Sequence, residues 1–572
     1  MTSQPPGETA ASTPQRIGWA ILIVVTLCIC YFSHLGVIGF VGPDEPRYAW
    51  IARDMAETGD WVTPRLYGKP WFEKPPLLYW GGAIFFKLLG EGHPEVAARL
   101  PSGISALFAT LALAWLAWRT YGGETARWLL LLLPTSVGMI GFSHAAATDM
   151  PFAGMLAIAM VCAAVALGLT QSENTPILPH TPWPALLLFG FFLGLAVLAK
   201  GPAAIILSGG AIFFWAILTK RWRDTLWLVH PAAIASFCLT ALPWYILCAR
   251  RNPDFFRIFI IEHNFKRYLT PEFQHVQPFW FYVPILLVAF LPWSLLLIAA
   301  SATGLRELWR NRKISPFTFL VLSWAAFCLV FFSVSKSKLP GYVLPAVPAI
   351  ALLLVHGALE SKSLSRRVAA WSLITSGFLC FCATIFFRFE DHWVQSRGFL
   401  WGTTALLFVT CGAFTLATLF AGLSIFFPSN SFKRFCLTAA SVLAIATLLQ
   451  MVMVPSVIDQ ANLNRLSGKA LALAFQADTR ASGPLRSFGF RRDYHYALNF
   501  YLHEEVADWN DDPIRNGFVL SESSDCPRLK TADQCIDLWS IYDRNVSWGL
   551  LKITPNDSLG DPGAGRQPRQ EK

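Results

Sequence analysis

The chain has 572 residues, 54% hydrophobic and only 14% charged, with a net charge of +10. A soluble domain carries about 25% charged residues, so the composition excludes an ordinary soluble enzyme and marks an integral membrane protein. The positive charge does not indicate nucleic acid as a partner, because Lys and Arg fall in short clusters between apolar runs, the pattern of cytoplasmic loops.

Residues 1–16 are polar and read as a cytoplasmic tail. The apolar run 17–40 is too long for a cleaved signal peptide and lacks a clear small-residue cleavage site, so it is expected to stay as a signal anchor. Apolar runs of about 20 residues predict about thirteen spans. They lie at 17–40, 98–118, 128–147, 151–170, 184–199, 202–219, 226–248, 278–300, 317–334, 340–358, 369–387, 398–427 and 434–454, and together make a transmembrane domain over 17–454. The first outer loop, 41–97, contains the short apolar stretch 77–90, read as a helix lying at the interface. With the N-terminus inside, the inner loops carry Arg119, Arg127, Lys220, Arg221, Arg223, Arg306, Arg310, Lys362, Arg366, Lys433 and Arg434. Every inner loop except 171–183 is then basic, the positive-inside rule is satisfied, and the C-terminus lies outside.

Residues 455–554 turn polar. A helical pattern at 458–475 and strand-like runs at 485–490 and 517–520 predict a small α/β domain, periplasmic in this topology. The tail 555–572, rich in Gly, Pro and charge, reads as disordered. Ten of the twelve cysteines lie in or beside apolar segments, where free Cys acts as a small hydrophobe. Cys526 and Cys535 flank a polar loop in the outer domain and could form a disulfide in an oxidising compartment.

Charges that positive-inside does not explain fall on the outer face: Asp44, Glu45 and Arg47; Glu73 and Lys74; Asp149; Lys200; Glu262, His263, Lys266 and Arg267; Lys336 and Lys338. Charge beside a bilayer is expensive and usually functional, so these groups are expected to share one cavity at the outer surface. Asp44 and Asp149 each stand two residues before a proline, which favours a helix start where the dipole welcomes an anion. Both could instead simply cap helices. Glu73-Lys74 precedes a rigid Pro75-Pro76 pair and could be a local ion pair worth roughly 0–1 kcal/mol. The surplus outer cations call for an anionic partner, and a lipid phosphate fits both charge and location. Snorkelling could account for one or two of them. His263 could be a packed histidine or, with Glu73, help hold a divalent cation.

These motifs carry a resemblance. Asp44-Glu-Pro-Arg-Tyr48, Gly59-Asp-Trp61, Phe72-Glu-Lys-Pro-Pro76, Thr148-Asp149, Leu198-Ala-Lys-Gly-Pro202, Glu262-His-Asn264 with Arg267-Tyr268, and Ser335-Lys-Ser-Lys-Leu-Pro340 with Tyr342 resemble the lipid-carrier-dependent glycosyltransferases of the protein O-mannosyltransferase superfamily. The pattern is most similar to the aminoarabinose transferase branch. The resemblance implies a type C glycosyltransferase fold in a bacterial inner membrane, with the active site periplasmic. It implies a polyprenyl-phosphate sugar as donor and lipid A or another glycolipid as acceptor, in a monomeric enzyme. Asp44 would be the leading catalytic carboxylate and Asp149 the second acid. Lys74, Arg267, Tyr342 and Lys200 would bind the carrier phosphate. Glu73 and His263 would position the acceptor or a cation, and Glu45, Arg47, Tyr48, Lys336 and Lys338 could contact substrate.

No Gly-rich phosphate loop is present, and a lipid-phosphate leaving group requires no nucleotide. No further cofactor is expected. Two rival readings stand beside the transferase: a flippase for a lipid-linked sugar and a non-catalytic scaffold. Transporters place polar groups near the bilayer midplane, whereas here the charge sits at the outer surface, ahead of residue 345. Another sugar, or core oligosaccharide or protein as acceptor, also remains compatible with the motifs.

Overall fold

A computed structural model of the chain describes residues 13–170, 183–266, 276–301, 314–360, 467–478, 483–514, 516–522, 534–543 and 546–554, with a few isolated positions between. It divides into two compact units, Met1–Val37 with Ile51–Asp459, and Ile38–Trp50 with Gln460–Lys572.

The first unit is helical. α1 (Thr13–Phe32) is followed by the rest of α2 (Asp44–Thr58), α3 (Leu77–Leu89), α4 (Pro94–Tyr121), α5 (Gly123–Leu132), α6 (Val137–Ser143), α7 (Asp149–Ala166), α8 (Trp183–Lys200), α9 (Ala203–Thr219) and α10 (Pro231–Arg251). A π-helix (Arg257–Lys266), α11 (Tyr282–Ala289), α12 (Pro316–Val334), a 3-10 helix (Pro340–Ala346) and α13 (Val347–Glu360) complete its described part. Among the described residues six helices are long and apolar enough to cross a membrane, and the bent pair α5–α6 makes a seventh if it is one span. α7 is the most enclosed of them, so it forms the centre against which α4 and α8 pack.

Several predicted spans differ from the observed helices. The run 17–40 ends as a helix at Phe32, and His34 takes a left-handed φ of 60°. The run 128–147 is two helices bent by 62° between Leu132 and Val137. Thr135 and Ser136 there turn their hydroxyls back onto Leu131 and Leu132 carbonyls, a competition with the helical ladder that hydropathy does not register. The run 278–300 is interrupted after Ala289, with Pro292 in the break. The run 340–358 starts as a 3-10 helix, with Pro345 inside it, before α13. α3 has 13 residues, about 20 Å long, too short to cross. The predicted spans 369–387, 398–427 and 434–454 lie outside the described residues.

The loop between α2 and α3 is built by specific contacts. Tyr67 and Gly68 both have positive φ, 53° and 75°, the two-residue turn that suits a hairpin, here Arg65–Leu66 against Lys69–Pro70. The Trp80 indole donates to the Trp61 carbonyl at 2.8 Å, and the Trp244 indole to the Val62 carbonyl at 2.9 Å. Phe72 meets Phe255 edge-on at 5.3 Å. Asp60 accepts the Val62 and Thr63 amides and pairs with Arg251 at 2.9 Å and Arg65 at 3.5 Å. The loop is therefore docked on the end of α10.

Among the described residues of its C-terminal part, the second unit holds a mixed five-stranded sheet with two helices, α14 (Lys469–Ala477) and α15 (Arg492–Leu502). Leu485–Ser487 pairs in parallel with Ala507–Asp508 and with Gly517–Glu522, and Val546–Thr554 runs antiparallel between Gly517–Glu522 and Gln534–Asp543. Val519, Leu551, Ile553 and Trp509 form its small core. Cys535 lies on the edge strand, and Cys526 is outside the described residues, as is the tail 555–572.

Partial burial pulls the Asp60 carboxyl upward, but the Val62 and Thr63 amides and the Arg251 and Arg65 guanidiniums outweigh it and leave its pKa below the usual carboxylate value. A carboxyl depressed on folding stabilises above its unfolded pKa of about 3.9 and loses that contribution as pH falls through the folded value. Asp60→Asn should therefore lower stability at pH 7 by an amount on the order of 1 kcal/mol, and with it the melting temperature, and the gap to wild type should close as pH drops below about 4. Melting curves in detergent across that range check this.

Candidate functional site

Two helix ends place the first unit's polar centre. α7 begins at Asp149, and α8, packed beside it, ends at Lys200. A helix N-terminus favours an anion and a C-terminus a cation, so both charges sit where the backbone stabilises them. α8 stops there because Gly201 takes a φ of +96° and Pro202 cannot continue the helix. Lys200 Nζ donates to Asp149 Oδ1 at 2.5 Å, with side chains 14% and 21% exposed. The same ammonium lies 4.6 Å above the Tyr342 ring and 5.6 Å from that of Phe152. The carboxylate of Asp149 thus faces Lys200.

Tyr342 reaches this point on the 3-10 helix, whose backbone comes in beside Asp149 at Gly341. A Cβ on Gly341 would stand 2.6 Å from Asp149 Oδ1 and 2.9 Å from the Phe142 ring. Tyr342 leans on Phe332 of α12 at 5.2 Å. The buried Tyr282 hydroxyl, on α11, lies within electrostatic range of Tyr342 and Asp149. Sequence reasoning missed both Gly341 and Tyr282. Gly341 sits inside the Ser335–Tyr342 motif, where a positional signal was available, but Tyr282 lies in an apolar run with nothing to single it out.

Lys338 is buried, and its ammonium donates to the Gln277 carbonyl at 3.0 Å and the Ser335 carbonyl at 2.6 Å. Burial and the neighbouring Lys336 push its pKa below the usual lysine value. It ties the motif loop to the segment entering α11, while Lys336 is exposed. Glu73 and Lys74 form their own pair at 3.1 Å, both nine-tenths buried or nearly so at 11% and 12% exposure. Glu262 pairs with Arg257 at 2.7 Å on the surface. Arg267 and the His263 side chain are outside the described residues. Among the described residues no three His, Cys, Asp or Glu side chains gather as a metal site, and Glu73 already holds an ammonium.

The Asp44 group belongs to the second unit. Asp44 opens α2 with its side chain 51% exposed, and Arg47, buried one turn later, pairs with it. Arg47 Nε also donates to the Pro43 carbonyl at 2.8 Å. Glu45 Oε2 accepts the Val41 amide at 2.8 Å. Glu45, Arg47 and Tyr48 are all buried, so these expected substrate contacts are directed into the protein. Asp44 is the member of the group that faces out.

Residues 18–259 match the family described as Dolichyl-phosphate-mannose-protein mannosyltransferase. The chain is 33% identical over 375 residues to the undecaprenyl phosphate-alpha-4-amino-4-deoxy-L-arabinose arabinosyl transferase of Serratia proteamaculans, a match covering 64% of each chain. The chain thus spans about 64% of the length of that curated relative. The fold is similar to that of ArnT from Cupriavidus metallidurans bound to undecaprenyl phosphate, with a TM-score of 0.74, 22% identity and coverage of 93% of this chain and 98% of that one. The apo structure of the same protein gives a TM-score of 0.71 at 22% identity, covering 96% and 99%. The chain therefore has the type C glycosyltransferase fold of those structures, as the motifs implied.

Gly341→Ala should push Asp149 away from Lys200. The melting temperature of the purified variant in detergent should fall, with membrane insertion unchanged, because the ion pair loses its geometry in a poorly solvated place.

Proposed function

We propose that this protein transfers a sugar, 4-amino-4-deoxy-L-arabinose, from undecaprenyl phosphate to lipid A at the periplasmic face of the bacterial inner membrane. The observation that carries this reading is the convergence of Asp149, Lys200 and Tyr342. They come from three separate motifs and meet in a fold shared with a protein crystallised with undecaprenyl phosphate. The names of the sequence relatives supply the sugar. In this reading the chain crosses the membrane about thirteen times, with the C-terminal domain outside, and acts as a monomer.

The donor's bond between the anomeric carbon and the phosphate oxygen breaks, and the carrier phosphate departs as an anion. A new bond forms from the anomeric carbon to the acceptor oxygen. Lys200 and Tyr342, with Lys74 and Arg267, stabilise the negative charge as it develops. Asp149 holds the Lys200 ammonium at the helix end, so the cation is in place before the donor arrives. Glu73 holds Lys74 in the same manner. If the acceptor is a hydroxyl, its proton passes to Asp44 as general base. If it is a lipid A phosphate oxygen, already ionised, Asp44 instead stabilises positive charge at the anomeric centre. The carrier phosphate is itself the leaving group, so the reaction requires no nucleotide.

The direct test supplies purified protein with undecaprenyl-phosphate aminoarabinose and lipid A, and follows lipid A by mass spectrometry. A pentosamine added to lipid A supports the reading. Transfer to another acceptor redirects it, and movement across liposomes without cleavage supports a flippase.

Asp44→Asn should abolish transfer, by at least about a hundredfold, in a protein that still inserts and melts normally; full activity would remove Asp44 from the chemistry. Lys74→Ala should weaken the apparent affinity for the lipid donor, by about tenfold for a lost charge-assisted contact, which donor titrations would read.

A further inference from the structure

The C-terminal region has no part in the scheme above, yet within the second unit it grips the segment that leads to Asp44. The Phe40 amide donates to the Tyr501 hydroxyl at 3.0 Å. The Phe40 ring meets Phe500 edge-on at 4.7 Å and stacks on Tyr501 at 5.8 Å. Gly39 lies so close to Ser467 that a Cβ there would stand 2.5 Å from its hydroxyl. Farther along, the Arg47 guanidinium sits over the Tyr496 ring at 5.2 Å, and Arg492 lies over the same ring at 5.5 Å. Tyr496, Phe500 and Tyr501 all belong to α15, and the first two are one turn apart on one face.

Arg47 is therefore fixed at several points. Its side chain is 4% exposed, its guanidinium carbon lies over the Tyr496 ring, its Nε holds the Pro43 carbonyl and its Nη2 holds Asp44. A guanidinium held over a ring face loses freedom about its stem, and its planar fork then passes that orientation to whatever it binds. Asp44 itself is half exposed, so little besides Arg47 is needed to set its rotamer, and a group in the transition state must be placed to within a fraction of an ångström.

We propose that α15 is a positioning element for Asp44, with Tyr496 acting through Arg47 and Tyr501 acting through the Phe40 backbone. This rests on Asp44 being the catalytic carboxylate, as proposed above. It gives the C-terminal domain a part in the chemistry without contact with the reacting atoms.

The test uses the purified full-length chain, with donor and acceptor as above. Tyr496→Ala should lower kcat by about ten- to a hundredfold and leave KM for the lipid donor within about twofold, since donor binding is assigned elsewhere. Tyr496→Phe keeps the ring face and should restore kcat. Tyr501→Phe should lower kcat more mildly. In an Asp44→Asn background, Tyr496→Ala should cause no further loss of residual turnover, because two residues acting as one unit are not additive. If Tyr496→Ala does not fold, Arg47→Lys, which keeps the charge and loses the fork, carries the same kcat expectation.

A well-folded Tyr496→Ala with wild-type kcat overturns the inference. So does a loss that Tyr496→Phe fails to rescue, or a raised KM at unchanged kcat. The underlying assignment fails separately: full turnover in Asp44→Asn removes it, whereas an inactive Asp44→Asn beside a fully active Tyr496→Ala leaves it standing and discards only the role of α15.

Discussion

An ammonium and a carboxylate 2.5 Å apart, at the facing ends of two apolar helices, organise the first unit's polar centre. Neither charge could stand alone there, because removing one partner leaves an uncompensated ion in a poorly solvated place. The pair therefore fixes how α7 and α8 align along their length. It also fixes the direction in which the chain must return, since only a neighbouring helix of opposite sense brings Lys200 to Asp149. The 3-10 helix then brings Tyr342 against the ammonium and Gly341 against the carboxylate. Each later element is shaped to this contact.

The same logic, a charge set by its neighbours before any ligand arrives, recurs elsewhere. Lys74 is held by Glu73, Asp44 by Arg47, and Lys338 by two carbonyls. The outcome differs with exposure. Lys338 has both carbonyls within 3.0 Å and is buried, so it is a structural tie. Asp44 keeps half its side chain in solvent and remains available. A positive charge at the outer surface is therefore not in itself a ligand site, and the number of protein acceptors around it decides.

Much of this was legible in the chain. The Lys200-Gly201-Pro202 triplet announces a helix end with a cation in its last turn, and Asp149-Met-Pro151 announces a helix start. Together they place two site residues, although not their contact, which joins residues far apart in sequence. Hydropathy found the long helices and failed where side chains compete with the backbone, at Thr135-Ser136, or where proline interrupts a run, at Pro292. It had no means to assign Glu45, Arg47 and Tyr48 to the protein interior, because a motif dense in charge reads alike whether it faces a substrate or a neighbouring helix. The role of α15 was hidden for a related reason. Its aromatic spacing looks like any amphipathic helix until Phe40 and Arg47, more than 400 residues earlier, are seen against it.

Gly341 shows how a constraint can be carried by something missing. Replacing it by alanine alters no charge, barely alters hydropathy and keeps the local helical preference, so by chemical similarity the change would rank as benign. The carboxylate oxygen 2.6 Å from the would-be methyl makes it one of the least exchangeable positions in its motif. Lys336, five residues earlier, is exposed and meets no such steric limit in its own backbone. The motif's least conspicuous residue is therefore the one whose replacement bears most directly on the carboxylate, which a ranking by charge would not suggest.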